Sequence, residues 1–359
     1  MITYQRDGAR RRTMTLALCA LAALAVWWLS SGSADPVHEF VGPTMGTSFA
    51  VRVVAELPAS ERERVQALVE ERLDRVEGLM STYDSASELS RLNRLESTEA
   101  FPVSAELREV LALAREVSER SGGAFDVTVA PLVEAWGFGP GGDIGGRIGP
   151  RPGGPELARL RVRVGYQLLL VDATNGTVAK ADPGARIDLS AIAKGYAVER
   201  VAAGLAELGL TRFLVEVGGE LEARGTGPGG RPWRVGIEQP DDGAPGVWGS
   251  VTLTDGAIAT SGDYRDYYEE DGVRYAHIVD PRSGLPLPMR GVSVTVLHAR
   301  AALADAWATA LTVLGPEEGL EVARREGLAA IFLRRVDGGV ESLFTPAMAA
   351  RDGTIEADR

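Results

Sequence analysis

Two oxygen-bearing side chains, Asp305 and Thr309, lie four residues apart in an alanine-rich stretch near the end of the chain. No Gly or Pro interrupts positions 301–311, so intrinsic propensity predicts a helix there. Residues four apart share one face of a helix. A carboxylate beside a hydroxyl suits a hard cation such as Mg²⁺, which prefers oxygen ligands completed by water and substrate phosphate. The same spacing is also typical of a helix that only packs, with Asp and Thr bonded to the backbone.

A second candidate lies in the segment 187–196, where the end of a predicted strand leads into the start of a predicted helix. Backbone amides at a helix N-terminus attract anions. Ser190 is the predicted cap, Asp188 lies just before it, and Lys194 extends from the first turn. An ordinary capped helix with a surface lysine has the same pattern. Neither a Walker sequence nor a Gly-x-Gly-x-x-Gly segment before a helix is found, so the two standard phosphate cradles are excluded.

A third candidate is His277, which lies in a predicted strand that leads into an Asp-Pro-Arg-Ser-Gly turn at 280–284. A histidine there could bind phosphate or move a proton near neutral pH, and a structural role is the alternative. His38 and His298 have no comparable context and are expected to be structural. The three histidines are scattered along the chain and offer no paired spacing, which argues against zinc.

Composition sets the broad class. The chain has 359 residues, 45% of them hydrophobic and 25% charged, as in soluble globular proteins. Its formal net charge of −12 excludes a general nucleic-acid binder, which would carry a basic surface. The charge does not exclude an anionic ligand, because a helix N-terminus or a bound metal holds phosphate in acidic proteins. Cys19 is the sole cysteine, so the chain after the N-terminal segment has no disulfide.

The N-terminus resembles an export segment. Three arginines at 10–12 precede an apolar run at 14–29, and small residues follow at 30–34. This order predicts a cleaved secretory signal or a short membrane anchor, with everything from Asp35 onward exported. Cleavage after Ala34 and anchoring, with Trp27 and Trp28 near the interface, both fit. Lipid attachment at Cys19 fits less well, because Leu18 is bulkier than the small residue that usually precedes such a cysteine.

Hydrophobic periodicity predicts helices and strands that are interspersed, with several strands in hairpin-like groups. This order favours an α+β fold over a doubly wound parallel sheet. A hairpin is expected at 37–54, and capping residues predict helix starts at Ser60, Ser104 and Ser190. Segments 124–129 and 185–189 are predicted strands, whereas 256–264 and 215–220 are predicted small-residue turns. The Gly/Pro-rich segment 140–155 is the predicted long loop.

Eight short segments, taken in order, resemble the FAD:protein FMN transferase family, also called ApbE. They span nearly the whole of the predicted exported chain. The matching segments are 45–47 (MGT), 80–84 (MSTYD), 121–126 (SGGAFD), 188–196 (DLSAIAKGY), 217–220 (VGGE), 259–264 (ATSGDY), 277–281 (HIVDP) and 305–310 (DAWATA).

The resemblance implies an α+β fold of T-fold type, with FAD between two lobes. Members of the family are exported to the periplasmic face of the inner membrane. They use FAD and Mg²⁺, transfer FMN to a Thr or Ser hydroxyl of an acceptor protein and release AMP. The known acceptors are membrane redox subunits. By this resemblance, residues 1–34 are the signal or anchor, 35–347 form the transferase domain and 348–359 are a tail.

The resemblance also assigns candidate site residues. Asp305 and His277 are the candidate catalytic residues, one of which takes the proton from the acceptor hydroxyl. The residues expected to contact flavin or adenine are Met45, Tyr83, Ala124, Phe125 and Asp126. Those expected on the phosphate and ribose side are Asp188, Lys194, His277 and Ile278. The expected magnesium ligands are Asp305, Thr309 and a backbone carbonyl near Ala191.

Two other functions remain open from the sequence. Some members of the family hydrolyse FAD to FMN and AMP, so a Mg²⁺-dependent flavin pyrophosphatase is one alternative. A non-enzymatic periplasmic flavin-binding protein is the other. The chain is not expected to be its own acceptor, because Ile258 stands where the hydroxyl belongs in the nearest match to an acceptor motif.

Overall fold

The computed structural model describes residues 35–140, 151–240, 246–264, 267–270, 273–351 and 355–357. The predicted export segment 1–34 and most of the predicted Gly/Pro-rich loop lie outside these residues. Within them, every helix is too short or too polar to cross a bilayer.

The described chain is built from helices, an eight-stranded sheet and three smaller sheets. The helices are α1 (Ala59–Met80), α2 (Glu88–Arg94), α3 (Ala105–Arg120), α4 (Ala130–Ala135), α5 (Gly154–Arg161), α6 (Ala193–Glu207), α7 (Ala301–Arg325) and α8 (Pro346–Ala349). The strands of the large sheet are β1 (Val37–Thr44), β2 (Thr47–Val54), β6 (Phe213–Val217), β7 (Glu220–Arg224), β10 (Gly256–Gly262), β14 (Val292–His298), β15 (Ala329–Val336) and β16 (Gly339–Phe344). The remaining strands are β3 (Phe101–Pro102), β4 (Leu169–Asp172), β5 (Thr177–Lys180), β8 (Trp233–Glu238), β9 (Val247–Leu253), β11 (Tyr267–Glu270), β12 (Val273–Asp280), β13 (Leu285–Pro288) and β17 (Ile355–Ala357).

The large sheet separates two hydrophobic cores. Its order is β1-β2-β6-β7-β10-β14-β15-β16, and each neighbouring pair is antiparallel. One face packs against α1, α3, α6 and α7, and the other against the β17-β9-β8 sheet and α8. Each strand contributes to both cores because successive side chains point to opposite faces of the sheet. The predicted α+β class is therefore confirmed, and part of the predicted tail, Ile355–Ala357, pairs with β9.

Helix α7 contains the two segments that the sequence predicts as separate helices. The helix is interrupted at Gly315, which has φ 76° and ψ 176°, and Pro316 follows directly. Gly reaches this conformation at little cost, and Pro cannot continue the first hydrogen-bond ladder. The half before the break is buried against β10, β14 and α6. It carries Asp305 and Thr309.

Helices α6 and α7 approach each other closely because Gly195 has no side chain. A Cβ atom on Gly195 would lie 2.3 Å from the carbonyl oxygen of Ala301 and 2.9 Å from the Cα atom of Ala302. The contact is with backbone atoms, which cannot rotate away. Any side chain at this position forces the two helices apart.

The predicted helix starts are right in one case of three. The Ser104 hydroxyl accepts a hydrogen bond from the Leu107 amide at 3.2 Å, as expected of a cap. The helix start predicted at the capping residue Ser60 is wrong, since α1 already begins at Ala59. The cap at Ser190 is wrong as well, because α6 begins only at Ala193.

Four local predictions of strand and turn are also corrected. Segments 124–129 and 185–189 form no strand, and a single parallel bridge joins Val129 to Arg186. The small residues at 256–262 form strand β10 rather than a turn, since they lie between β7 and β14. Segment 215–220 contains a turn of only two residues, Gly218 and Gly219, between β6 and β7. Small residues are therefore used here for close packing as well as for turning.

Strand β7 carries two glutamates on the face that the helices cover. Glu220 and Glu222 are each 4% exposed, whereas Leu221 and Ala223 point to the opposite core. Burial raises the pKa of Glu222 to about 7, against the attraction of Arg224, which lies 3.1 Å away. Two carboxylates thus occupy positions where apolar residues are usual.

We expect Gly195→Ala to lower the free energy of unfolding by about 1–3 kcal/mol, the usual cost of overpacking a core. The matched control is Gly78→Ala in α1, where a Cβ atom meets nothing within 4 Å. That change should raise the free energy of unfolding by about 0.4–1 kcal/mol, since alanine has less freedom in the unfolded chain. Chemical denaturation of both variants measures these effects. Equal effects would contradict the tight crossing of the helices.

We expect Glu222→Gln to change how stability depends on pH. The folded-state pKa of Glu222 is raised, so its contribution to stability is fully present below its ordinary value of 4.5 and is lost as the pH rises through about 7. Over that interval the wild-type protein should lose stability relative to Glu222→Gln by up to about 1.4 kcal/mol per pH unit. Denaturation at pH 4, 5, 6, 7 and 8 compares the two curves. Parallel curves would show that Glu222 does not titrate in this range.

Candidate active site

Asp305 is a buried carboxylate at the crossing of α6 and α7. Its side chain is 4% exposed, and its Oδ2 atom accepts a hydrogen bond from the Gly195 amide at 3.0 Å. Its Oδ1 atom accepts no hydrogen bond from the part of the chain that the structure describes. Burial raises the pKa of Asp305, and the nearby Lys194 ammonium is the strongest opposing influence. One oxygen of this carboxylate is therefore still open to a ligand.

Lys194 lies in the first turn of α6 and forms an ion pair with Glu220. The distance from Nζ to Oε1 of Glu220 is 2.8 Å. The Oε2 atom of Glu220 is buried and has no hydrogen-bond partner among the described residues. Burial raises the pKa of Glu220, the Lys194 ammonium opposes this shift and the Asp305 charge adds to it. The ammonium thus pairs with one buried carboxylate and acts electrostatically on a second, Asp305.

Two tight turns lie side by side at this end of the sheet. Gly218 has φ 60°, and its amide donates to the Ser48 carbonyl at 3.1 Å. A Cβ atom on Gly218 would lie 2.8 Å from Cγ2 of Thr47 and 3.1 Å from Cδ of Lys194. The absent side chain leaves room for the stem of the lysine. Three elements therefore meet at one edge of the large sheet. They are the hairpin of β1 and β2, the turn between β6 and β7, and the start of α6.

Met45 lies at the tip of that first hairpin in an unusual backbone conformation. Its φ is 46°, which is uncommon for a residue other than Gly. Positive φ at both loop residues, here Met45 and Gly46, is what the favoured two-residue hairpin turn requires. The Met45 amide donates to Oε2 of Glu77 at 3.3 Å. The predicted flavin contact Met45 thus lies on the hairpin that packs against the Gly218 turn.

The predicted contacts Ala124, Phe125 and Asp126 are buried in the fold. Ala124 and Phe125 are 1% and 3% exposed and belong to the main core. The carboxylate of Asp126 accepts hydrogen bonds from the Thr128 amide, the Thr128 hydroxyl and the Tyr166 amide, at 2.8, 2.6 and 2.7 Å. Burial raises the pKa of Asp126, and these hydrogen bonds oppose it. The side chain of Asp126 holds a turn in place.

The segment before α6 packs against this turn. The Asp188 amide donates to the Val127 carbonyl at 2.7 Å. Oδ1 of Asp188 accepts from the amide and hydroxyl of Ser190 at 2.8 and 2.5 Å. Ser190 therefore shapes the loop instead of capping the helix. Ala191, the expected source of a carbonyl ligand, is partly buried in this loop.

The other predicted site residues lie on three different elements. Tyr83 follows α1 and is 69% exposed. His277 is partly buried on β12, a strand that contacts α7, and Ile278 beside it is 8% exposed in the main core. Thr309 is partly buried one turn after Asp305. Lys194 and Asp305 are thus brought together, whereas Tyr83 is the predicted contact most open to solvent.

Three acidic residues at this edge, Glu216, Glu220 and Asp263, are not among the site residues predicted from the sequence. Glu220 is predicted only as part of the turn at 215–220. Glu216 accepts from the Gly219 amide at 2.7 Å, and its Oε2 atom is buried without a hydrogen-bond partner among the described residues. Asp263 is 2% exposed, accepts from the amides of Arg290 and Val292, and borders a cavity of about 270 Å³ beside the break in α7. The available signal was a glutamate at each end of a Gly-Gly turn.

No group of three or more His, Cys, Asp or Glu side chains in the described ranges is arranged to hold a metal ion. The predicted magnesium site has one carboxylate, one hydroxyl and one backbone carbonyl, so a cluster of three such side chains is not expected there.

The sequence matches a known family and its curated members. The model of the ApbE family matches residues 45–332. An FAD:protein FMN transferase of Vibrio cholerae is 39% identical over 335 residues, which cover 92% of this chain and 98% of the relative. The FAD:protein FMN transferase of Salmonella typhimurium is 35% identical over 342 residues, with 93% and 97% covered.

Solved structures agree with these matches. The flavin transferase ApbE of Vibrio cholerae superimposes with a TM-score of 0.79 at 37% identity, covering 88% of this chain and 99% of that chain. The apo form of the flavinyl transferase ApbE of Pseudomonas stutzeri gives a TM-score of 0.78 at 38% identity, with 90% and 98% covered. The resemblance seen in the eight sequence segments is confirmed, and the chain belongs to the ApbE family.

Proposed function

We propose that this protein transfers FMN from FAD to an acceptor protein, the activity for which its relatives are named. The observation that carries the proposal is the buried Asp305 beside Lys194, in a chain that matches FAD:protein FMN transferases over 92% of its length. An ammonium next to a carboxylate with one open oxygen suits a substrate whose reacting group is a diphosphate.

Mg²⁺ is part of this proposal, and the donor atoms fit it. Oδ1 of Asp305 accepts no hydrogen bond from the residues that the structure describes, and Thr309 adds a hydroxyl one turn later on α7. A carbonyl near Ala191 would complete the protein ligands. When ionised, Asp305 and Glu220 carry two negative charges against the one positive charge of Lys194, so a cation is favoured here. When bound, Mg²⁺ would neutralise charge on the diphosphate as the bond breaks.

The residues of the chain then bind and orient the substrate. Lys194 attracts the diphosphate, and the helix dipole at the N-terminus of α6 favours the same anionic group. A Thr or Ser hydroxyl of the acceptor attacks the phosphorus on the FMN side. A new phosphorus–oxygen bond forms to the acceptor, the diphosphate bond breaks, and AMP leaves with the bonding electrons. His277 or Asp305 takes the proton of the hydroxyl.

We also propose that the protein works outside the cytoplasm, at the periplasmic face of the inner membrane. The support is the arginine cluster followed by an apolar run in residues 1–34. An acceptor that is a membrane redox subunit would then be present in the same compartment.

Flavin transfer is tested with an exported redox subunit of the same organism as the candidate acceptor. Incubation with FAD and Mg²⁺ should add the mass of one FMN residue to the acceptor and release an equal amount of AMP. The control is an acceptor in which the modified Thr or Ser is replaced by Val or Ala, and it should gain no mass. Free FMN and AMP without acceptor modification would indicate a pyrophosphatase. Bound FAD without AMP release would indicate a flavin-binding protein.

We expect Asp305→Ala to lose turnover rather than flavin binding. The metal and its ligand act mainly on charge that develops during the reaction, so kcat should fall by at least about 100-fold. The dissociation constant for FAD, measured by flavin fluorescence, should change by only a few fold. The control is Glu317→Ala on the same helix, where the side chain is 77% exposed. Retention of kcat by Asp305→Ala with Mg²⁺ present would rule out this role.

A further inference from the structure

Lys194 forms an ion pair with one buried carboxylate and acts electrostatically on a second. Its ammonium lies 2.8 Å from Glu220, while Asp305 forms no ion pair with any described residue. Yet the charge of Lys194 is the strongest influence that opposes burial at Asp305. Glu220 and Asp305 therefore compete for the same ammonium, and the structure shows Glu220 as the partner.

The backbone around Glu220 explains this choice. Glu220 is the first residue of β7, directly after the two-residue turn at Gly218 and Gly219. Gly218 leaves the space that the stem of Lys194 fills. The Glu220 side chain is 5% exposed, so water competes little for the pair. A fixed turn, a vacant Cβ position and a desolvated acceptor together hold the ammonium on the sheet side of the site.

If the Lys194 ammonium left Glu220, Asp305 is the nearby carboxylate that it would stabilise most. Among the described residues only the Gly195 amide donates a hydrogen bond to Asp305, and Oδ1 accepts none from them. Glu216, another acidic group near Lys194, already accepts from the Gly219 amide, and Arg52 opposes the burial shift of its pKa more strongly than Lys194 does. A lysine that left Glu220 would therefore turn to Asp305.

We propose that Glu220 is a positioning residue that captures Lys194 and so keeps Oδ1 of Asp305 available for a divalent cation. This inference rests on the proposed metal role of Asp305. It assigns to the glutamate of the Gly-Gly-Glu turn a task that differs from ligating the metal. Without the glutamate, the chain's own ammonium occupies the place of the metal.

The proposal is tested by binding of Mn²⁺ to purified, FAD-free protein, measured by electron paramagnetic resonance of the free ion. Glu220→Gln keeps the size of the side chain but loses its charge, so Lys194 is released. We expect the dissociation constant for Mn²⁺ to rise by about tenfold or more, since a close ion pair must now be broken for the metal to bind. Glu222→Gln is the matched control, because Glu222 is equally buried on the same strand face and pairs with Arg224 instead. It should bind Mn²⁺ as the wild type does.

A double variant separates capture of the lysine from a direct effect of charge. In a protein that already carries Lys194→Met, adding Glu220→Gln should change the Mn²⁺ dissociation constant by less than about threefold, because no ammonium remains to be released. Lys194→Met alone should bind Mn²⁺ at least as tightly as the wild type. The proposal would be overturned if Glu220→Gln raised the Mn²⁺ dissociation constant by the same factor with and without Lys194. Glu220 would then act on the metal through its own charge or as a direct ligand.

The outcomes also distinguish this inference from the proposed function. If Asp305→Ala binds Mn²⁺ as tightly as the wild type, the metal site itself is wrong, and the inference falls with it. If binding depends on Asp305 but Glu220→Gln matches the wild type, only the inference is wrong.

Thermal unfolding of each variant shows whether the variant is folded under the conditions of the binding measurement. Because Glu220→Gln removes a buried charge and keeps the volume, its midpoint should not fall below that of Glu222→Gln by more than a few degrees.

Discussion

The close crossing of α6 and α7 at Gly195 is the constraint on which the rest of the site depends. It brings the amide of one helix to the carboxylate of the other at 3.0 Å, and it aligns Lys194 and Asp305 at one edge of the sheet. Helices with larger side chains at the contact lie 8–10 Å apart, which is the usual interaxial distance. Small residues along the first half of α7 make a close approach possible. The alanines that look like helix formers in the sequence are also the packing surface.

The electrostatics of the site follow from this packing. Glu220 and Asp305 are buried and Glu216 is partly buried, and burial raises the pKa of each. Burying unpaired carboxylates is costly, so native proteins usually compensate them with a partner or a bound cation. Lys194 supplies one positive charge, and the excess of negative charge favours a divalent ion. A cation bound there would offset this excess of negative charge and so favour an anionic substrate.

Much of this arrangement could be predicted from local sequence, and the rest depends on contacts between distant segments. The helix around Asp305 was predictable because propensity and spacing agree over eleven residues. Strand β10 was read as a turn, because its Gly, Ala, Thr and Ser residues suit either structure until neighbouring strands are known. The pairing of Lys194 with Glu220 joins residues that are far apart in sequence, and no local pattern distinguishes it from the pairing of Lys194 with Asp305. Asp126 is a predicted ligand contact, and its three hydrogen bonds, which stabilise a turn, include one from the distant Tyr166 that no local pattern predicts.

The conformation of Met45 has a consequence for what this hairpin is adapted to do. A residue with a Cβ atom in the left-handed region is less stable by about 1–2 kcal/mol than in the right-handed one, whereas Gly or Asn tolerates that region readily. Turn formation alone would therefore favour Asn-Gly at this tip, and the chain has Met-Gly. The thioether is flexible and polarizable, and it adapts its shape to a flat aromatic surface. The hairpin tip thus gives up local stability and presents a deformable side chain at the edge where the two turns meet.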